Sequence, residues 1–371
     1  SCGAHSPTFA LHAKAACSPT AGGRHRPDGS LLFGWAHDLS LAVFEFVGAE
    51  SISQLASASS GLRAASGVKG EGGWRFLVPR LRLSSGTCAA RLDHAWLPCV
   101  RWIHATSLND KATRALLMAF ERPAPRMTRA LLSLDLSCTK ITMTPAMIRV
   151  VRACRSLRTL NLSRTRLRDN DVKELAYGLV HDPSTGDRRP HPSLKELSLD
   201  SNGLSGKVCP EIARAIVAVN VEVLQLSRND LGDGGAEALA GALERDIWRI
   251  GGARLVKLDV SENRMTAVGL AALLRGLGDN RTLRSLEAGG NEALGPSLAC
   301  DMEAQEEVSA RFAEAVSLRE MHLWRCGICD VGCQVLVDSQ PPRLTMLNLA
   351  GNSLSPAVRC RLQQRKGAIR L

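Results

Sequence analysis

An eleven-residue frame that recurs along the last two thirds of the chain constrains its fold more than any other feature. The frame is LxxLxLxxNxL, with aliphatic residues at positions one, four, six and eleven and, in most copies, asparagine at position nine. Eight copies lie within residues 131–371, and a repeat of this period indicates an array of stacked structural units. The copies begin at Leu131, Leu157, Leu194, Val221, Leu255, Leu283, Leu318 and Leu344.

Each copy predicts a short strand followed by a helix. The xLxL part alternates polar and apolar residues, which is typical of a strand with one buried face. The stretches after it, such as residues 234–245 and 267–277, carry apolar residues at helical spacing. One unit cannot bury its own apolar face, so the units must stack to share a core.

These repeats resemble the leucine-rich repeat family, and the units of 26–28 residues with a full helix resemble its ribonuclease-inhibitor-like class, shared with the sensing domains of NOD-like receptors. The resemblance covers residues 131–371 as one domain of eight units. It implies an α/β fold, a leucine-rich repeat solenoid (horseshoe) with parallel strands on the concave face and helices on the convex face. We expect a small helical segment before it.

Positions three, five and seven of each frame are predicted to point into the concave groove, because alternate strand residues share a face. Six of these residues are acidic and one, Lys257, is basic, so the groove favours a protein partner with basic character. Trp324 is the predicted anchor, since aromatic residues carry much of the energy at interfaces. The predicted partner-binding residues are Asp135, Asn161, Glu196, Asp200, Gln225, Asp259, Glu287, Glu320, His322 and Trp324.

The net charge of +11 permits contact with nucleic acid but does not require it. Seven arginines lie within residues 149–168, yet no aromatic residue is interleaved with them, and stacking on single-stranded nucleic acid would want one. We therefore interpret this run as a solvated face and expect no nucleic-acid partner. The chain has no uninterrupted apolar run of the roughly 18 residues that a membrane helix needs, so no membrane role is expected.

The twelve cysteines are scattered along the chain, which favours reduced thiols and an intracellular location, cytoplasmic or nuclear. Cys326, Cys329 and Cys333 have a spacing that could suggest zinc. Cys326, however, stands at position nine of its frame, where other copies have asparagine. We therefore predict no metal and no cofactor.

Residues 1–30 contain no acidic residue before Asp28 and are rich in small and polar residues, which predicts disorder. An acid-poor, basic start also resembles a targeting peptide. Residues 86–130 are predicted to be a linker or a degenerate capping repeat. In the second case Ile103 and Ala105 would lie on its strand, and residues 110–120 would form its helix.

Residues 31–85 are predicted to be helical, and residues 39–75 resemble an F-box. The match comprises two short apolar helices separated by a turn and followed by Trp74. The usual opening Leu-Pro is Leu39-Ser40 here. The resemblance implies docking on the small adaptor of a cullin-type ubiquitin ligase, through Val43, Phe44, Val47, Ile52 and Leu55.

Function is predicted to be non-enzymatic protein–protein interaction, because the chain has no G-x-x-x-x-G-K-[ST], G-x-S-x-G or HExxH motif. In the sharper form of this prediction, the protein is an F-box-like substrate receptor of a ubiquitin ligase. Two alternatives stay open. One is a GTPase-activating protein with repeats like those of the Ran activator, and the other is a ribonuclease-inhibitor or NOD-like sensing module.

Overall fold

The computed structural model describes residues 67–70, 73–76, 80–83, 101–121, 131–142, 144–182, 185–244, 254–364 and 369–371. Within these residues the dominant feature is one sheet of parallel strands, each paired with its neighbours in chain order. The short antiparallel pair β1 and β2 lies outside that sheet. The strands are β1 (Gly67–Gly70), β2 (Gly73–Phe76), β3 (Arg80–Leu83), β4 (Trp102–Ala105), β5 (Ser133–Asp135), β6 (Thr159–Asn161), β7 (Glu196–Ser198), β8 (Val223–Gln225), β9 (Lys257–Asp259), β10 (Ser285–Glu287), β11 (Glu320–His322), β12 (Met346–Asn348) and β13 (Ile369–Arg370).

From β4 onwards, helices connect successive parallel strands and form the second layer, as a parallel pair of strands requires a crossover. Strand order that follows chain order without reversal, from β3 to β13, defines an open solenoid and confirms the predicted fold. The helices are α1 (Asp110–Glu121), α2 (Thr144–Ala153), α3 (Asp169–Val180), α4 (Cys209–Val219), α5 (Gly232–Leu243), α6 (Ala267–Arg275), α7 (Leu294–Cys300), α8 (Met302–Glu314), α9 (Asp330–Asp338) and α10 (Pro356–Gln364).

The core lies between the two layers and is built from the aliphatic frame positions. The central strand residues, such as Leu160, Leu224 and Leu286, are fully buried. Burying a leucine side chain stabilises the fold by about 2 kcal/mol, so the repeated frame accounts for much of the stability. The helices complete this core with residues such as Leu270 and Phe312, which are also fully buried.

Position nine forms a ladder of polar side chains where the chain leaves each strand. Asn291 is buried, and its Oδ1 accepts from the backbone N–H groups of Asn263 (2.8 Å) and Met265 (3.1 Å) in the preceding unit. Its Nδ2 donates to the carbonyl oxygens of Ala288 (2.8 Å) and Val260 (3.3 Å). Because buried backbone groups need partners, the ladder satisfies the turns of adjacent units together.

Position eight of every frame has left-handed backbone. The φ angle is 57° at Cys138 and Arg164, 55° at Arg228 and 53° at Glu262, and the same position in the sixth copy is Gly290 with 69°. Glycine adopts this region freely, whereas other residues pay a steric cost. Residues other than glycine therefore occupy position eight, at this edge of the solenoid, at an energetic cost.

Glycine brings the middle helices of the convex layer close together. A Cβ on Gly269 of α6 would overlap the carboxylate of Asp233 in α5. Beyond the end of α6, a Cβ on Gly276 would lie 2.7 Å from the carbonyl oxygen of Ala240, and the two atoms would overlap at that distance. These contacts exist only because the side chain is absent.

The structure differs from the prediction of a helical segment at residues 31–85. Its described part contains the strands β1, β2 and β3 instead of helix, and β3 pairs in parallel with β4. The physical reason is the alternation of apolar and polar residues in Arg80–Leu83, which suits a strand rather than a helix. The five predicted adaptor-binding residues, Val43, Phe44, Val47, Ile52 and Leu55, lie outside the described residues.

Candidate functional site

The solvent-facing side of the parallel sheet carries three rows of side chains. Register pairing aligns position three of each frame with position three of the next, and position five with position five. Neighbouring members of a row are thus about 4.8 Å apart. The predicted residues fall in these rows as follows: Glu196 and Glu320 at position three; Asp135, Asn161, Gln225, Asp259, Glu287 and His322 at position five; Asp200 and Trp324 at position seven.

Carboxylates meet in the middle of this surface. Burial raises the pKa of Asp259, and the nearby charges of Glu287 and Asp200 raise it further, while the hydrogen bond from the Ser261 backbone N–H opposes the shift. The Ser261 N–H donates to Asp259 Oδ1 at 2.9 Å. Asp200 accepts from the Ser227 N–H at 2.8 Å. The centre of the surface is therefore acidic, and Asp259 keeps a net upward shift in its pKa.

Lys257, the basic residue expected in the groove, partly neutralises this acidic centre through an ion pair that the frame positions did not predict. Its Nζ lies 2.5 Å from Glu287 Oε1. The hydrogen bond to Glu287 raises the pKa of Lys257, and the charges of Glu287, Asp259 and Glu320 add to the effect. Lys257 is aligned with Ser285 in the register, and Glu287 lies two residues further along β10 on the same face, so the ion pair is diagonal. The period-two spacing of the two strands was the available signal. Glu287 is thus already paired, whereas Asp200 and Asp259 face the groove with serine partners.

The first strands extend the surface beyond the predicted set. His104 of β4 lies beside Asp135 in the register, and its Nδ1 is 2.6 Å from Asp135 Oδ2. In the next units the Thr159 hydroxyl donates to Glu196 at 3.2 Å. His104 escaped the sequence analysis because its unit does not carry the full frame.

Trp324 lies flat against the preceding unit rather than projecting freely. Ring atoms of its indole occupy the space that a Cβ on Gly289 would fill, and Gly290 supports the far edge of the ring. The side chain is partly buried. Beside it, His322 Nε2 lies 3.7 Å from Glu320 Oε2, and Asn348 contacts His322 Nδ1 at 3.4 Å. The indole is thus fixed before any partner arrives.

Within the described residues, no group of three or more potential metal ligands comes together. Cys326 is buried in the position-nine ladder, where its Sγ contacts the carbonyl oxygen of Ala288 at 3.4 Å. Desolvation raises the pKa of that thiol to about 11. In the same described part of the chain, no helix is long and apolar enough to cross a membrane.

The parallel sheet, the convex helices and the position-nine ladder define a leucine-rich repeat solenoid, a class of protein-interaction domain. Comparison with known families agrees. Models described as "Leucine Rich repeat" match residues 153–176, 218–240 and 255–274, and a further "Leucine Rich Repeat" model matches residues 193–215. The chain is therefore a leucine-rich repeat protein of the ribonuclease-inhibitor-like class, as the sequence predicted.

Similar curated proteins belong to two groups. "NACHT, LRR and PYD domains-containing protein 5" of Bos taurus is 29% identical over 219 residues, which is 57% of this chain and 18% of that protein. "Ribonuclease inhibitor" of Sus scrofa is 26% identical over 260 residues, which is 68% of this chain and 51% of that protein. The chain thus spans about half or less of the length of these relatives.

Among solved structures, a chain of the crystal structure of the Rad7 and Elc1 complex in yeast is similar at a TM-score of 0.41 and 16% identity. The match covers 92% of this chain and 91% of that one.

Proposed function

We propose that the concave face binds a basic segment of a protein partner. The observation that supports this proposal is the burial-raised pKa of Asp259, set between the charges of Glu287 and Asp200. An ionised carboxylate in such a place is stabilised when a cation approaches, because the attraction offsets the costs of its desolvation and of the repulsion from neighbouring carboxylates. A lysine or arginine side chain of the partner supplies that cation.

Trp324 supplies the second part of the proposed interface. Its indole rests on Gly289, so one face of the ring is supported by the protein and the side chain loses little entropy on binding. A cation stacked over the other face would gain roughly 0.5–2 kcal/mol. The partner segment would then run across the strands from the Asp200 and Asp259 region towards Trp324.

The test is site-specific photo-crosslinking in cells that express the full chain. A benzophenone amino acid replaces Gln225 in the groove, and a matched variant carries it at Glu237, which is exposed on the convex helix α5. We expect proteins that crosslink at Gln225 and not at Glu237, with at least about tenfold lower yield in the D200N/D259N double variant. The same proteins at both positions, or a yield that D200N/D259N leaves unchanged, would refute the proposal.

We also propose the sharper role of ubiquitin-ligase substrate receptor, and its support is the sequence pattern of residues 39–75 alone. The test is a binding titration of the full chain against the purified adaptor of a cullin-type ligase. Charged residues at Val43 and Phe44 should abolish binding while the circular dichroism of the repeats stays unchanged. Absence of binding at micromolar concentration, or binding that V43D/F44D leaves intact, would contradict this role.

A second candidate is ribonuclease inhibition, favoured by the relatives that carry this name and by the acidic groove. The expected result is saturable inhibition of a basic pancreatic-type ribonuclease that weakens in the D200N/D259N variant. Full ribonuclease activity at a tenfold molar excess of the chain would exclude it.

A further inference from the structure

A basic pocket lies at the edge of the solenoid where the first strands turn towards their helices. We call it the edge pocket and define it by Lys111, Cys138, Lys140, Arg164 and Arg166, with Asp110 on its wall. All these residues are exposed. It is separate from the acidic groove, because Lys111 lies in α1 and the other four cysteine and basic residues occupy positions eight and ten of the frame rather than positions three, five and seven.

Its two arginines differ from Arg228 and Arg264, the equivalent arginines in the fourth and fifth copies. Arg228 at position eight of the fourth copy pairs with Glu262 at position eight of the fifth, with Nε and Oε1 3.0 Å apart. Arg264 at position ten of the fifth copy pairs with Asp230 at position ten of the fourth, at 3.2 Å. Stacked units thus neutralise these arginines along the same two rows.

The rows that contain Arg164 and Arg166 hold no acid beside them. Position eight of the neighbouring units is Cys138 and Ser201, and position ten is Lys140 and Gly203. Of the pocket cations, Lys140 is paired, since its Nζ lies 3.8 Å from Asp110 Oδ2. The edge pocket therefore keeps a net positive charge, whereas the same rows are neutralised in the fourth and fifth copies.

Both arginines occupy left-handed backbone, with φ angles of 57° at Arg164 and 59° at Arg166. The next unit has Gly203 at position ten, with a φ angle of 72°. Glycine would fit there without the steric cost of roughly 1–2 kcal/mol that other residues pay in this region. The paired Arg264 has the same backbone conformation, with a φ angle of 59°, so the edge pocket differs from it in charge pairing and not in backbone.

We propose that the edge pocket binds an acidic peptide segment of a protein partner. Arginine guanidinium groups pair carboxylates in bidentate fashion, and exposed cations without an acidic neighbour attract such a segment at long range. The described pocket lining contains no aromatic side chain on which a base could stack, which disfavours single-stranded nucleic acid. The partner thus meets an acidic groove and a basic edge on one domain.

The test is fluorescence anisotropy of the full chain with a fluorescein-labelled decaglutamate peptide. The test variant is R164Q/R166Q, and the matched control is R228Q/R264Q, which removes the same charge from equivalent but paired positions. We expect the affinity of the test variant to fall at least about tenfold, while the control changes it less than about twofold. Equal losses in the two variants would show nonspecific attraction and overturn the proposal, as would absence of binding at 50 mM salt.

Cys138 reports occupancy of the pocket directly, because its thiol is exposed. Cys300 and Cys360 are exposed outside the pocket and act as internal controls. Decaglutamate should slow alkylation of Cys138, mapped by mass spectrometry, at least about fivefold and leave the two controls unchanged. If a thymidine decanucleotide protects Cys138 as well as or better than decaglutamate does, the pocket is a nucleic-acid site and the proposal is wrong. If neither compound protects Cys138, the proposal also fails.

Discussion

His191 and Asn280 perform the same task in different units of the solenoid. Each stands three residues before the first leucine of a frame. Asn280 Oδ1 accepts from the backbone N–H groups of Thr282 (2.9 Å) and Leu283 (2.8 Å), and His191 Nδ1 accepts from those of Ser193 (3.4 Å) and Leu194 (3.2 Å). Because Nδ1 accepts, Nε2 carries the proton and donates to the Cys154 carbonyl oxygen at 3.2 Å. His191 therefore fits its site only as the neutral imidazole.

This geometry predicts acid sensitivity at one residue. Desolvation is the main cause that lowers the pKa of His191 from 6.5, and its side chain is 3% exposed. The unfolded chain therefore binds the proton first, so His191 adds no instability above pH 6.5. Below that pH it reduces the free energy of unfolding by up to about 1.4 kcal/mol per pH unit until the folded pKa is reached. Urea titrations at pH 7.5 and 5.5 should show this loss in the wild type and a smaller loss in H191N. A pH dependence that is the same in both proteins would contradict it.

Residue types at the groove could be predicted, but their pairing could not. The period-two pattern placed Asp259, Glu287 and Trp324 on one face without coordinates. The pairing of Lys257 with Glu287 depends on the register between two units whose frames begin 28 residues apart. The position of the Trp324 ring depends on the absence of a side chain at Gly289. Such contacts are properties of stacking and not of one frame.

Elements of the repeats follow the frame closely, because one local pattern determines both the strand and the helix of each unit. The exception lies at residues 67–83, where three strands replace the expected helix. Without a full frame there, composition and apolar spacing gave an ambiguous signal. In Arg80–Leu83 the alternation of polar and apolar residues over four positions favours a strand, and pairing with β4 stabilises it through backbone hydrogen bonds.

The position-nine ladder makes a stability contribution that a single substitution can measure. Changing Asn291 to alanine leaves the N–H groups of Asn263 and Met265 and two carbonyl oxygens without their side-chain partner. We expect a loss of about 3 kcal/mol in the free energy of unfolding, since each buried unsatisfied group costs about 1–3 kcal/mol. Chemical denaturation measures it, with N170A on the exposed side of α3 as the control. A loss below 1 kcal/mol in N291A would mean that water replaces the amide.

The whole molecule is a one-dimensional array, in which each unit contacts mainly its neighbours. Leu347 is fully buried, and β12 pairs only with β11 and β13 among the described strands. Changing Leu347 to alanine should cost about 2–5 kcal/mol locally. Hydrogen exchange should therefore accelerate in residues 317–364 and stay unchanged in residues 131–180. Equal acceleration in both regions would show that the array unfolds as a single cooperative unit.

The glycines between the convex helices have a consequence for the shape of the groove. A solenoid bends because its helix layer is thicker per unit than its strand layer, so the spacing of helices sets the radius of the inner face. Gly269 and Gly276 keep that spacing short in the middle of the array. Alanine at either position would push α5 and α6 apart, tighten the curvature, and change which partner contours fit. In the proposed binding mode, these two glycines would influence the fit of a partner from the opposite, convex layer.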